Sequence, residues 1–221
     1  MPVVPRRALI AAAVAGLLVA GFAAGPLFLA RAQESGGDGA GEAAPPEEPP
    51  TAVIDRLHDA LLGVMREADT LGFEGRFERL RPVLAAVFDF ESMARFTIGR
   101  ANFEALGAEE QARLVDRFAA MSTANYARGF DGYSGQSFVT EGASDGPRGV
   151  TIVRSRLERP ADDAVRLNYV LRPIDGQWRV IDVLLDGSIS ELARRRSEIS
   201  SIYAAQGYDG VIESLEEAAG G

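Results

Sequence analysis

Gln177-Trp178-Arg179-Val180-Ile181-Asp182-Val183-Leu184-Leu185 leads through Asp186-Gly187-Ser188 and Ile189-Ser190 into Glu191-Leu192-Ala193-Arg194-Arg195-Arg196. The stretch reads as strand, tight turn and helix in direct succession. Val180, Ile181, Val183, Leu184 and Leu185 are apolar on both faces of an extended chain, which places the strand centrally, with helices on at least one side. Asp182 stands alone among them, where a carboxylate is costly unless hydrogen-bonded or paired. Farther on, Gly207-Tyr208-Asp209 interrupts the helical spacing and opens a final helix through Leu215.

Working upstream, the period is two. Gln136–Thr140, Gly149–Leu157 and Ala164–Pro173 read as three further strands, separated by the turn signals Asp145-Gly146-Pro147, Pro160-Ala161-Asp162 and Asp175-Gly176. Such short connections favour an antiparallel meander. Val165, Leu167, Tyr169 and Leu171 share one face of the third strand, and Val153, Ser155 and Leu157 one face of the second.

Before the strands the period is helical. Val53, Ile54, Leu57, Leu61, Val64 and Met65 make one stripe, with His58 at its edge as a partly exposed helix residue. Phe77, Leu80, Val83, Leu84 and Val87 begin a second helical section, where Pro82 marks a start or a kink. Asp89 is placed to cap the helix running through Met93 and Phe96. Glu109 and Glu110 open a helix whose face carries Leu114, Val115, Phe118, Met121, Ser122 and Tyr126 until Gly129 ends it. Helices first and last, strands between, make the class α+β: a curved antiparallel four-stranded sheet with helices packed on its concave face.

The N-terminus has a different character. Arg6-Arg7, an apolar run from Ala8 to Ala30 and the small-x-small Ala30-Arg31-Ala32 read as an export signal over residues 1–32, cleaved after Ala32 or retained as an inner-membrane anchor. Residues 33–50 are rich in Gly, Ala, Glu and Pro and read as a disordered acidic linker. The folded domain is assigned to residues 51–221, in the periplasm.

Composition excludes several classes of chemistry. Among 221 residues there is no cysteine and one histidine, His58, so thiolate and His-based zinc sites and disulfides are out. All 23 cationic residues are arginine and the net charge is −9, a poor balance for nucleic acid. The carboxylate pairs Glu109-Glu110, Asp162-Asp163 and Glu216-Glu217 fall in turns and helix ends and read as solvated surface. Gly129–Gly135 lacks the Lys-Ser/Thr of a phosphate loop, and no Gly-x-Ser-x-Gly elbow is present. Arg194-Arg195-Arg196 reads as a solvated face, with Glu191 and Glu198 within a turn, or as a docking patch for a partner or for lipid phosphates.

The stretch from Gln177 to Leu215 resembles the C-terminal signature of the MlaC/toluene-tolerance family of exported lipid-binding proteins. The run Ile181–Ile189 is similar to the hopanoid-associated HpnM branch. Phe88-Asp89, Met93-Ala94, Gly99-Arg100, Gln111 and Tyr126 extend the likeness to roughly Val53–Leu215, and Phe103 stands where the family often has tryptophan. The resemblance implies an apolar cavity between sheet and helices that holds a lipid, phospholipid or hopanoid, with no other cofactor. It also implies a membrane partner, an ABC-type or hopanoid transport system that supplies any energy.

Candidate cavity residues are Phe96, Phe103, Phe118, Met121, Tyr126, Val153, Tyr169, Leu171, Val183, Leu185, Ile189 and Ile202. Asp182 has three readings: a salt bridge to an arginine such as Arg154 or Arg172, recognition of a ligand head group, or catalysis. The last belongs to the alternative function, a small cone-fold enzyme of isomerase type using Asp182 with Tyr169. A purely structural accessory protein is a third reading. On the first, the chain is no enzyme.

Overall fold

A computed structural model describes residues 46–160 and 162–220. The export signal, most of the acidic linker and Ala161 of the Pro160–Asp162 turn lie outside the described residues.

The order of elements is helical, then sheet, then helical: α1 Pro50–Arg66, α2 Ala68–Val87, α3 Phe90–Ile98, α4 Arg100–Ala105, α5 Ala108–Gly129, β1 Ser137–Asp145, β2 Thr151–Arg159, β3 Asp162–Ile174, β4 Gln177–Leu185, β5 Ile189–Ser190 and α6 Glu191–Gly220. Among the described residues this is an α+β fold with six α-helices and one antiparallel sheet, in the order β1-β2-β3-β4-β5. The sheet has five strands where the sequence pattern suggests four. The fifth is a two-residue strand in which Ser190 pairs with Leu184 and Ile189 with Leu185, too short to leave a periodicity.

Turn chemistry sets the meander. Asp175 and Gly176 have φ of 49° and 74°, and Asp186 and Gly187 have φ of 48° and 82°. Paired left-handed residues give turns whose twist matches the flanking strands, and Asp-Gly adopts them cheaply. β1 runs past Thr140 to Asp145 because a bulge between Thr140 and Gly142 absorbs one residue. Gly142, at φ 125°, therefore belongs to the strand rather than to a turn.

A second bulge shapes β4. Val170 faces Asp182 and Leu171 faces Val180, so Ile181 is the extra residue. The alternation slips by one there, and Val180 and Val183, three apart, are both buried. The outer edge of β4 is partly covered: β5 pairs near its end, and Phe88 makes a parallel bridge to Val180, with the Asp89 N–H donating to the Val180 carbonyl at 2.9 Å.

The stripe of α1 is buried throughout and lies over β1, β2 and β4. Ile54, Leu57 and Leu61 join Val153, Leu157, Leu167, Tyr169 and Leu171 in one core. Each such side chain contributes about 1.5–3 kcal/mol by leaving water. α2 and α3 pack on β4 and on the pair α5–α6. α2 begins earlier than the Phe77 stripe suggests, and its break is at Gly72 (φ 59°, ψ −169°), with Pro82 inside the helix. α6 breaks at Gly207 (φ 70°, ψ −161°), where the Gly-Tyr-Asp signal lies.

His58 corrects the expectation of partial exposure. It is 3% exposed, stacked on Phe138 with ring centroids 4.1 Å apart. Its Nε2 shares a hydrogen bond with the Tyr169 hydroxyl at 3.2 Å. The Thr140 hydroxyl lies 3.5 Å from Nδ1 and donates to Asp55 Oδ1 at 2.6 Å. A helix stripe names residues by angle alone, and β1 and β3 bring cover that no local pattern contains.

Candidate functional site

One pocket opens where the end of α2, α3 and α5 face β4 and the start of α6. Its walls are Phe88, Phe90 and Met93; Phe118, Met121, Ser122, Asn125 and Tyr126 of α5; Asp182 and Val183 of β4; and Glu191, Leu192 and Arg195 of α6. The space it encloses is about 80 Å³, below the ~300–1,000 Å³ typical of small-molecule pockets.

The α5 residues follow the helical repeat, so one face of one helix builds one wall. The aromatic floor is held by ring contacts. Phe88 stacks on Phe90 at 5.6 Å, Phe90 meets Phe118 edge-on at 6.3 Å, and Tyr126 meets Phe88 edge-on at 5.8 Å. Asp89 starts α3 beneath this floor: its carboxylate accepts the Ser92 N–H at 3.0 Å.

Asp182 lies at the mouth and forms no salt bridge among the described residues, neither with Arg154 nor with Arg172. Its Oδ1 accepts the N–H of Val183 at 2.7 Å and of Leu192 at 3.0 Å, and its Oδ2 accepts the Ser190 hydroxyl at 2.6 Å. The Ser190 hydroxyl in turn accepts the Ala193 N–H at 2.8 Å. Asp182 and Ser190 together cap α6, where free N–H groups and the helix dipole favour an anion. The arginine pairing assumed a strand carboxylate reaching across the sheet; the bulge and β5 bring it to the helix start instead. Burial pushes its carboxyl up from the ordinary range, against the lowering effect of those three hydrogen bonds.

The other charges at the mouth are matched. Glu191 pairs with Arg194 at 2.5 Å and Arg195 with Glu198 at 2.7 Å. Burial raises the Glu191 carboxyl, and Arg194 works against it. The Arg196 guanidinium sits 4.6 Å from the Phe96 ring centroid. The triple-arginine run is thus a set of local pairs along α6.

Of the twelve candidate cavity residues, Phe118, Met121, Tyr126 and Val183 line this pocket. Val153, Tyr169 and Leu171 lie behind it in the core under α1, and Phe103 is buried beside α3. Leu185 and Ile202 are half-buried against the core, whereas Phe96 is 41% and Ile189 54% exposed. Asp182 lines the pocket too, and Phe88, Phe90, Met93, Ser122, Asn125, Glu191, Leu192 and Arg195 complete it without having stood among the candidates. The spacing of Asn125 on α5 is a usable signal; Phe88 and Phe90 read only as a helix start. A second, more open groove lies between α2, α5 and the end of α6, lined by Phe73, Phe77 and Ala120 with Arg117 and Glu216.

Among the described residues no helix is long and apolar enough to cross a membrane, and no group of His, Asp and Glu is placed to hold a metal. The family model for MlaC protein matches residues 55–217. A solved structure, the phospholipid-binding protein from Ralstonia solanacearum in complex with a phospholipid, superposes with a TM-score of 0.68 at 16% identity. The match covers 78% of this chain and 97% of that one. At this identity the likeness is one of fold. No curated protein sequence matches the chain.

Proposed function

Because this chain belongs to the MlaC protein family, we propose that it is a periplasmic carrier that binds a lipid and performs no reaction on it. The observation that carries the reading is the family match over residues 55–217, which spans every element of the pocket. The aromatic and methionine walls supply the apolar surface that such a ligand needs. Behind them Val153, Tyr169 and Leu171 continue the apolar surface as packed core under α1. Asp182 spends its lone pairs on α6 and Ser190, which favours a structural role over that of a general base.

The phospholipid in the Ralstonia solanacearum structure makes a phospholipid the first ligand class. The run Ile181–Ile189 favours a hopanoid as the second. Residues 1–32 direct export, residues 33–50 tether, and residues 51–221 hold the lipid. A membrane transport system, ABC-type or hopanoid, supplies the energy that this chain has no nucleotide motif to use.

The test is to extract the purified mature protein with organic solvent and analyse the extract by mass spectrometry. Stoichiometric lipid is expected, and its class separates phospholipid from hopanoid. An empty protein that also takes up no apolar fluorescent probe overturns the carrier reading.

A further inference from the structure

We propose that the Tyr126 hydroxyl is a specificity donor that hydrogen-bonds an uncharged oxygen of the ligand, the carbonyl of an acyl ester. This rests on the lipid-binding reading and adds a residue and an atom to it.

The pocket holds charged and neutral polar groups, and they differ in what remains unused. Asp182, Glu191 and Arg195 are committed to Ser190, Arg194 and Glu198. Among the neutral groups Asn125 donates to Met121 Sδ, and the hydroxyls of Ser122 and Tyr126 have no hydrogen-bond partner among the described residues; of these two, that of Tyr126 is carried on a ring held within the aromatic floor. The Tyr169 hydroxyl is bonded to His58 Nε2 at 3.2 Å, and no hydrogen bond joins it to Tyr126. Among the described residues the one sealed side-chain nitrogen or oxygen without a partner is Arg194 Nε. The Tyr126 oxygen is therefore not locked in packed core; it opens onto the pocket its residue lines.

An unpartnered phenol in an apolar site is a cost that phenylalanine would avoid at equal ring volume. The ring itself is firmly held, stacked on Phe130 at 5.8 Å and edge-on to Phe88 at 5.8 Å, so the hydroxyl is aimed. Burial, with Glu191 nearby, keeps the phenol protonated, hence a donor. A neutral donor among aromatic walls suits a neutral acceptor. An anionic phosphate oxygen would instead select the guanidinium groups, which are engaged at the mouth. In an acyl lipid the acceptor lying between head group and chains is the ester carbonyl.

The experiment compares a diester phosphatidylcholine with its diether analogue, which lacks both carbonyls, in wild type and in Tyr126→Phe. Wild type should favour the diester about fivefold, as one neutral hydrogen bond allows. Tyr126→Phe should lose the preference, read as the ratio of its own affinities for the two lipids. An equal affinity of wild type for both lipids, or a preference unchanged in Tyr126→Phe, overturns the proposal. If wild type binds neither lipid nor any extracted lipid, the carrier reading itself fails, and this inference with it. A measurement on wild type alone guards against a misfolded variant: the infrared carbonyl band of bound diester should lie below its frequency in dry apolar solvent. A band at the free-carbonyl frequency refutes the contact.

Discussion

His58 offers a test of the buried polar cluster between α1 and the sheet. Burial lowers its pKa from 6.5 to about 4, and nearby Asp55 works in the opposite direction. Tyr169, Thr140 and Phe138 fill the rest of its surroundings. The folded-state pKa lies below the unfolded one, so the stabilising contribution is complete above pH 6.5. It is lost as pH falls from there towards 4, because the unfolded chain takes up the proton first. Between pH 7 and pH 4.5 this single group should remove about 2 kcal/mol of folding stability. The assay is urea unfolding of wild type and of the double variant His58→Phe/Tyr169→Phe at both pH values. The paired substitution avoids leaving the tyrosine hydroxyl without a partner. Carboxylate titration is common to both proteins and cancels in the difference. As His58 is the one histidine, its imidazole NMR signals report the titration without overlap. A midpoint near 6.5, or equal acid destabilisation of both proteins, would refute the reasoning.

Substitutions at three further positions test the architecture. Asp182→Ala leaves the Leu192 N–H and the Ser190 hydroxyl without their acceptor and should cost about 2–3 kcal/mol in chemical unfolding, with Asp182→Asn costing roughly half. Equal stability of the alanine variant and wild type would remove the cap. Gly207→Ala meets no atom within 4 Å of the added Cβ, so its effect is backbone strain alone, about 1–3 kcal/mol, seen as a lowered Tm. An unchanged Tm would mean that α6 does not break there. Arg76→Met orphans the carbonyls of Ala127 and Ala68, bonded at 2.8 and 3.1 Å, and should cost about 2–3 kcal/mol in urea unfolding. A loss below half that would show the arginine to be dispensable.

The local elements were largely legible. β4 runs from Gln177 to Leu185 as its apolar run suggests, the Asp-Gly turns sit where they must, and α5 ends at Gly129. What escaped was whatever breaks a period. The bulge after Thr140 breaks the alternation, so the pattern ends the first strand there although β1 continues to Asp145, and the extra residue Ile181 shifts the phase of β4. Asp182 shows the same limit at the site. Its isolation in an apolar strand marked it as needing partners, but those partners come from β5 and the first turn of α6, which only the fold delivers. Phe96 and Ile189 are apolar by type and exposed by position, since periodicity states a direction and not what lies in that direction.

From its residues alone the chain determined its class, the antiparallel order of its strands, its lack of cysteine chemistry and its acidic character. These follow from short-range causes: side-chain alternation, turn dihedrals, helix capping and composition. The tertiary structure decided which residues meet. It buried His58 against Tyr169, turned Asp182 into a helix cap, and gathered Phe88, Phe118, Tyr126 and Val183 around one pocket. Those contacts join positions far apart in the chain, through bulges and packing angles that no local pattern records.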